Sequence, residues 1–351
     1  MSRVLAHTGA KYPIIQAPMG WIARTPLASA VSRAGGLGII ETSSGETQNC
    51  QAEITAMSQL GLPFGVNLPI RFLKDDAMLR FVCSSGVKFV TTSAGSPAKF
   101  VGPLKDAGIV VYHAVPTVDT ALKCVDAGID GLVVEGAEGG GFKNPSPVST
   151  MVLLPLIRSR VDVPIIAAGG ICDGPSMAAA FAMGAEGVQM GTRMLACLES
   201  PVHDNWKQAV VAARETDTVF LNQQSRPALR ALRTQRTAAL EPLGKFNVME
   251  NMSGIPQLYF GGDMEAAIPL SGEVCGRIDA VLLGERSQFV DRLARMHGAA
   301  DLLGHRIDHP DAWPGLRQIE RLAADLQHRR ADRIPRRLRD QHLADVHHVV
   351  P

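Results

Sequence analysis

The chain is short of aromatic residues and of net charge. Its 351 residues include only 3 Trp, 3 Tyr and 11 Phe, and 35 Lys plus Arg nearly balance 34 Asp plus Glu, for a formal net charge of +1. Near-neutrality removes the broad electrostatic footprint of a nucleic-acid or membrane-surface binder, leaving room for a local basic patch only. Six cysteines (Cys50, Cys83, Cys124, Cys172, Cys197, Cys275) are scattered with no C-x-x-C. That spacing argues against a zinc site or a disulfide framework and fits reduced thiols in a cytoplasm. No apolar stretch approaches about 20 residues, so no membrane span is expected. The first residues also lack the basic start and apolar middle of a secretory signal. Glycine, by contrast, is plentiful at 34 residues, which suits tight turns and close backbone approach to a ligand.

Apolar, β-branched runs bounded by Gly, Pro and Asn predict strands at 14–18, 37–41, 64–69, 87–93, 109–115, 130–135, 163–168 and 187–191. Helical patterns at 25–34, 48–60, 97–107, 118–127, 150–160 and 174–183 lie between them, most closing at a Gly that suits a left-handed C-cap. Strand starts fall 23, 27, 23, 22, 21, 33 and 24 residues apart, room for one strand, one crossover helix and two short loops. Near-continuous apolar strands imply a parallel sheet buried on both faces. Eight such units predict an α/β fold closed as a (β/α)8 TIM barrel over residues 1–203; a doubly wound open sheet is the other solution.

The rhythm then stops. Residues 204–240 read as helical and 241–272 as a Gly-, Pro- and Asn-rich excursion, so 204–272 is expected to form a helical lid. Segments 272–284 and 286–295 read as closing helices, giving a closing unit at 273–300. Residues 301–351 form a basic, His-rich C-terminal tail. The run from His328 to Arg339 holds six Arg and one Asp, which fits a solvated tail or an anion-binding patch.

A barrel of this kind places its active site at the C-terminal strand ends, with phosphate held by the loops after strands seven and eight. Those loops read Ala168-Gly-Gly-Ile171 and Met190-Gly-Thr-Arg193. Gly169, Gly170, Gly191 and the Thr192 hydroxyl offer donors without side-chain obstruction. The 33-residue interval puts an enlarged loop after strand six, Glu135-Gly-Ala-Glu-Gly-Gly-Gly-Phe-Lys-Asn-Pro-Ser-Pro147. Its glycines suit a flat approach to a bulky ligand, and Glu135 at the strand tip either accepts from that ligand or faces solvent. Strand one ends Gln16-Ala-Pro-Met19; Asn67 on strand three either bonds a ligand or caps a turn.

Together, Gln16-Ala-Pro-Met19, Gly65-Val-Asn67, Thr91-Thr-Ser-Ala-Gly-Ser-Pro97, the Glu135–Gly141 run, Ala168-Gly-Gly170, Gln189-Met-Gly-Thr-Arg193 and Gly262-Asp-Met264 resemble the nitronate monooxygenase family, formerly 2-nitropropane dioxygenase. Its relatives include flavin-dependent enoyl-thioester reductases and NADH:quinone reductases. The resemblance runs from about residue 10 to 295 and implies an FMN-binding barrel with a lid. It places Ala17, Pro18 and Met19 against the flavin, and Asn67 and Thr92 beside it. Glu135 and Gly141 would border the ring, and Ala168, Gly169, Gly170, Met190, Gly191 and Thr192 would line the ribityl-phosphate end. The expected reaction is oxidation of alkyl nitronates by dioxygen through FMN. Two alternatives stay open: an NAD(P)H-dependent reductase of an enoyl thioester or quinone, and a flavin-binding relative without efficient turnover. The expected partner is a small-molecule substrate, with neither nucleic acid nor membrane; a homodimer is left open.

One position departs from the family pattern. Many members carry a His, credited with proton transfer, where this chain has Phe142, and a phenyl ring cannot exchange a proton. Before the tail only His7, His113 and His203 occur. His113, near the end of strand five, is the candidate proton-transfer residue, set against a hydrogen-bonded core role. Tyr112, Glu138 and Lys143 are substitutes, while Cys172, with no base beside it, reads as a passive thiol.

Overall fold

The computed structural model describes residues 2–73 and 75–281. The second closing helix expected at 286–295 and the basic tail at 301–351 lie outside the described residues. Eight strands, β1 (Ile14–Gln16), β2 (Gly38–Ile40), β3 (Phe64–Pro69), β4 (Phe89–Ser93), β5 (Val110–Val115), β6 (Gly131–Glu135), β8 (Ile165–Ala168) and β9 (Gly187–Met190), form one parallel sheet in the order β1-β9-β8-β6-β5-β4-β3-β2. Its ends meet where Ile15 bridges Leu37 and the Gln16 amide donates to the Leu37 carbonyl at 3.0 Å, closing the barrel. The expected TIM barrel is therefore present, and each expected strand contains an observed one.

Crossovers α2 (Thr25–Arg33), α3 (Thr47–Gln59), α4 (Ala77–Ser84), α5 (Ala98–Asp106), α6 (Val118–Asp126), α7 (Thr150–Arg158) and α8 (Gly174–Ala182) ring the sheet, and α1 (Arg3–Thr8) precedes it. Gly35, Gly61, Gly86, Gly108, Gly128 and Gly184 end helices at φ between 63° and 94°, where an L side chain is strained. Six of the 34 glycines are thus helix punctuation. Alternation along the strands sends Ile15, Ile39, Phe89, Tyr112, Val133, Ile166 and Ala168 inward as a barrel core. Ile14, Ile40, Val90, Val111, Val134 and Val188 face outward against the helices.

After β9 come α9 (Thr192–Leu195) and α10 (Asp204–Ala212), then α11 (Gln235–Leu240), α12 (Val248–Asn251) and α13 (Ile255–Tyr259). The helical reading of 204–240 fails between α10 and α11. There β10 (Thr218–Leu221) and β11 (Ala228–Leu232) pair antiparallel, and β11 pairs in turn with β7 (Gly141–Lys143) from the enlarged loop. Buried pattern decides the outcome: Val219, Leu221, Ala228, Leu229, Ala231 and Leu232 all bury side chains, which a lone surface helix would not do. The lid is thus helices around a small sheet. The described part of the first closing segment, to residue 281, forms a 3-10 turn at Glu273–Arg277. No helix among the described residues is long and apolar enough to cross a membrane.

Candidate active site

The C-terminal mouth of the barrel opens into a cavity of ≈ 940 Å³, at the upper end of the size of small-molecule sites and roomy enough for a cofactor plus a substrate. Ala17, Pro18, Met19, Asn67, Glu135, Gly141, Ala168, Gly169, Gly170, Gly191 and Thr192 all line it. Eleven positions separated in the sequence thus line one cavity.

Two neighbours were assigned to the wrong face. Thr92 is fully buried outside the cavity, its hydroxyl 2.7 Å from His113 Nδ1, while Thr91, one residue earlier, lines the cavity and accepts from Asn67 Nδ2 at 3.0 Å. Met190 packs against the helix layer, and Gln189 faces the site instead. Both corrections follow from the two-residue period of a strand.

The same period decides His113. Tyr112 and Ala114 belong to the barrel interior, so His113 between them points toward the helix layer, while the residue also borders the cavity. It is buried between Thr92 and the Gly95 backbone, and burial lowers its pKa to about 4. The ring is thus a neutral, satisfied core imidazole. A folded-state pKa below the ordinary 6.5 means the unfolded chain binds the extra proton first. Stability from this residue is full above about pH 6.5 and falls as pH drops toward about 4, by about 3 kcal/mol. Urea unfolding of wild type and His113→Gln at pH 7.0 and 4.5 checks this. The wild type should lose more stability than the variant between the two pH values; equal losses would refute the assignment.

Two other substitutes are spent on structure. Tyr112 lies toward the opposite end of the barrel, its hydroxyl 3.0 Å from His7 Nδ1 of α1, with burial raising its pKa. Glu138 accepts from the Thr150 amide at 2.9 Å and the Thr150 hydroxyl at 2.9 Å, pinning the enlarged loop to α7. Cys172 is buried and its thiol is pushed up to about 11 by burial, so it is unreactive at neutral pH.

Lys143 and Phe142 sit on opposite faces of β7. Phe142 is exposed and stacks on Phe72, with ring centroids 5.7 Å apart and planes 10° from parallel. The Lys143 side chain is 5% exposed and its ammonium is paired with Glu135. The enlarged loop is braced by Arg230 of β11, which donates to the Ala137 carbonyl at 2.6 Å and pairs with Glu273 at 2.8 Å. Across the mouth, Glu41 gathers Arg24 at 2.7 Å and the Trp21 and Ser44 amides at 3.2 and 3.0 Å, fixing the turn that follows Met19.

Bare backbone forms the far wall. Gly169 and Gly170 have φ of 88° and 77°, and the amides of Gly170, Gly191 and Thr192 find no acceptor among the described residues. Converging N–H groups of this kind form an anion site. Phe72, Arg71 and Arg226 also line the mouth but were missed by sequence reasoning. The run Pro69-Ile-Arg-Phe72 reads as the end of a strand, and nothing local signals that it turns toward the lid.

The comparisons agree with this architecture. The nitronate monooxygenase family model matches residues 2–81 and 70–282. The chain belongs to the nitronate monooxygenase family. Among family relatives, the (3aS,4S,5R,7aS)-5-hydroxy-7a-methyl-1-oxo-octahydro-1H-indene-4-carboxyl-CoA dehydrogenase of Rhodococcus jostii is 36% identical over 250 residues, covering 70% of this chain and 68% of the relative. A probable nitronate monooxygenase of Staphylococcus saprophyticus is 32% identical, covering 63% and 75%. The solved structure of FabK from Thermotoga maritima superposes with a TM-score of 0.80 at 33% identity, covering 87% of this chain and 99% of that one. An oxidoreductase barrel from this family is therefore the identity of the described residues.

Proposed function

We propose that this family member is an FMN-dependent oxidoreductase that moves electrons between the flavin and an acyl thioester. The residues present fit the cofactor. The Gly170, Gly191 and Thr192 amides suit its phosphate, and Asn67 and Ala17–Met19 suit its ring system. Bound there, FMN supplies the two-electron chemistry and the protein supplies position and electrostatics.

The observation that carries the thioester reading is the mouth. Phe72 and Phe142 form an exposed aromatic platform beside Arg71 and Arg226, neither of which makes an ion pair among the described residues. An apolar platform beside unpaired guanidinium groups suits a bulky acyl group carrying a phosphate-bearing tail. The likeness to a carboxyl-CoA dehydrogenase supports the same substrate class. Nitronate oxidation is the second reading, favoured by Phe142: a nitronate arrives already deprotonated and asks for no base at that position.

One anaerobic experiment separates them. The FMN-loaded protein is mixed separately with NADH, NADPH, acyl-CoA and propyl nitronate, and flavin bleaching is followed. Bleaching by acyl-CoA, or bleaching by a nicotinamide that enoyl-CoA then reverses, is the expected result. Bleaching by nitronate alone would overturn the thioester reading, and protein that cannot be loaded with FMN would overturn both. In the same assay Arg71→Ser/Arg226→Ser should raise the acyl-CoA concentration for half-maximal bleaching roughly tenfold or more, as expected for losing two charge-assisted contacts.

A further inference from the structure

A thioester reaction needs a group that gives a proton to, or takes one from, the carbon next to the carbonyl. Of the side chains that lie near enough to attempt it, Phe142 has no exchangeable proton and His113 faces the helix layer. Glu138 is held by Thr150. Asp119 is paired with Lys123, and the Tyr259 ring is buried against Trp21, Trp206 and Phe260, which leaves one pair at the cavity wall, Lys143 on Glu135.

Its surroundings are built for it. Register places Lys143 opposite Ala228 and Phe142 opposite Leu229, so the strand turns the phenyl ring to the mouth and the ammonium to the interior, one residue beyond the position where the family pattern has its His. A second feature is independent of the ion pair. A Cβ on Gly139 would stand 2.9 Å from Lys143 Nζ and 3.1 Å from Glu135 Oε1. The glycine therefore leaves the volume in which both charged atoms meet.

We propose that Lys143 Nζ, seated on Glu135, is the proton-transfer group of this site and stands in for the His that position 142 lacks. This rests on the thioester reading above. In the donating direction one N–H bond of the ammonium breaks and its electron pair stays on Nζ. The electron pair of the substrate enolate takes the proton, forming the α C–H bond and leaving a neutral amine that water reprotonates. The reverse step removes the α-proton onto the neutral amine. Glu135 stays a carboxylate throughout and holds Nζ in place.

The test is α-hydrogen exchange, which needs no net turnover. FMN-loaded protein is incubated in D2O with butyryl-CoA and with cyclohexanecarboxyl-CoA, and deuterium uptake is read by mass spectrometry; FMN affinity is measured by fluorescence titration. Wild type should exchange. Lys143→Met should keep FMN affinity within about twofold and lose exchange about 100-fold or more, the scale of general acid–base catalysis. Lys143→Gln serves if the Met variant does not fold, with the same expectations. Exchange at the wild-type rate in the folded variant would overturn the proposal alone. So would a loss of FMN affinity with exchange per bound flavin intact, which would make Lys143 a cofactor ligand. If wild type exchanges neither ester and its flavin bleaches with propyl nitronate alone, the thioester reading fails and the proposal fails with it.

Discussion

Replacing Gly38 by Ala should cost at least about 3 kcal/mol of stability, more than a typical overpacked core position. Gly38 opens β2 where the backbone of α2 lies directly on the barrel. An added Cβ would stand 2.1 Å from the Ala28 carbonyl oxygen and 2.6 Å from its carbon. Those are backbone atoms in the middle of a buried helix, so no rotamer change relieves the contact; the helix or the strand must shift. Gly65 offers the contrast: its two nearest neighbours are the ends of the Ile39 and Phe89 side chains at 2.8 and 2.9 Å, and the nearest backbone atom, the Phe89 carbonyl oxygen, is at 3.0 Å and need give only a few tenths of an ångström. Chemical denaturation should rank Gly38→Ala well below Gly65→Ala, with a melting point roughly 6 °C or more under wild type. A Gly38→Ala protein as stable as the Gly65 variant would refute the account of helix seating.

This dependence on a glycine also explains what a sequence can disclose. The eight barrel strands are legible because each is an apolar run flanked by turn residues, and because the helix before most of them ends on a glycine with positive φ. The anion wall is legible for the same local reason: bare backbone follows β8 and β9. The face of a strand is harder. Thr92 and Met190 lie in the correct strands but one residue off the cavity, because the run of residues around each gives the period and not its phase. Non-local pairing was invisible altogether. Residues 228–232, Ala-Leu-Arg-Ala-Leu, have the composition of a helix and become β11, the middle strand between β10 and the Gly141–Lys143 edge more than eighty residues away. That pairing orients Phe142 and Lys143, so the question of which group moves a proton was beyond reading in one dimension.

Gly169→Ala should abolish useful FMN affinity, weakening it about 100-fold or more, whereas Gly170→Ala should weaken it less. Both residues hold a left-handed conformation, φ 88° and 77°, and each alanine therefore carries a strain of about 1–2 kcal/mol. Their surroundings separate them. A Cβ on Gly170 meets only the Glu138 side chain at 3.7 Å, ordinary contact. On Gly169 it would stand 2.9 Å from the Gly136 carbonyl oxygen, 3.2 Å from the Gly139 amide and 3.2 Å from the Thr150 hydroxyl. The Gly136 and Gly139 atoms are backbone of the enlarged loop, and Thr150 is the residue on which Glu138 anchors that loop. Relief of the clash must push apart the wall that presents the Gly170 amide and the loop that carries Glu135 and Lys143. The phosphate end and the proton-transfer pair would then be displaced by one substitution. Fluorescence titration of FMN into both variants, with thermal melts of the apo forms alongside, measures the difference. Equal affinities in the two variants would mean that strain alone governs this wall and that the loop does not rest on Gly169.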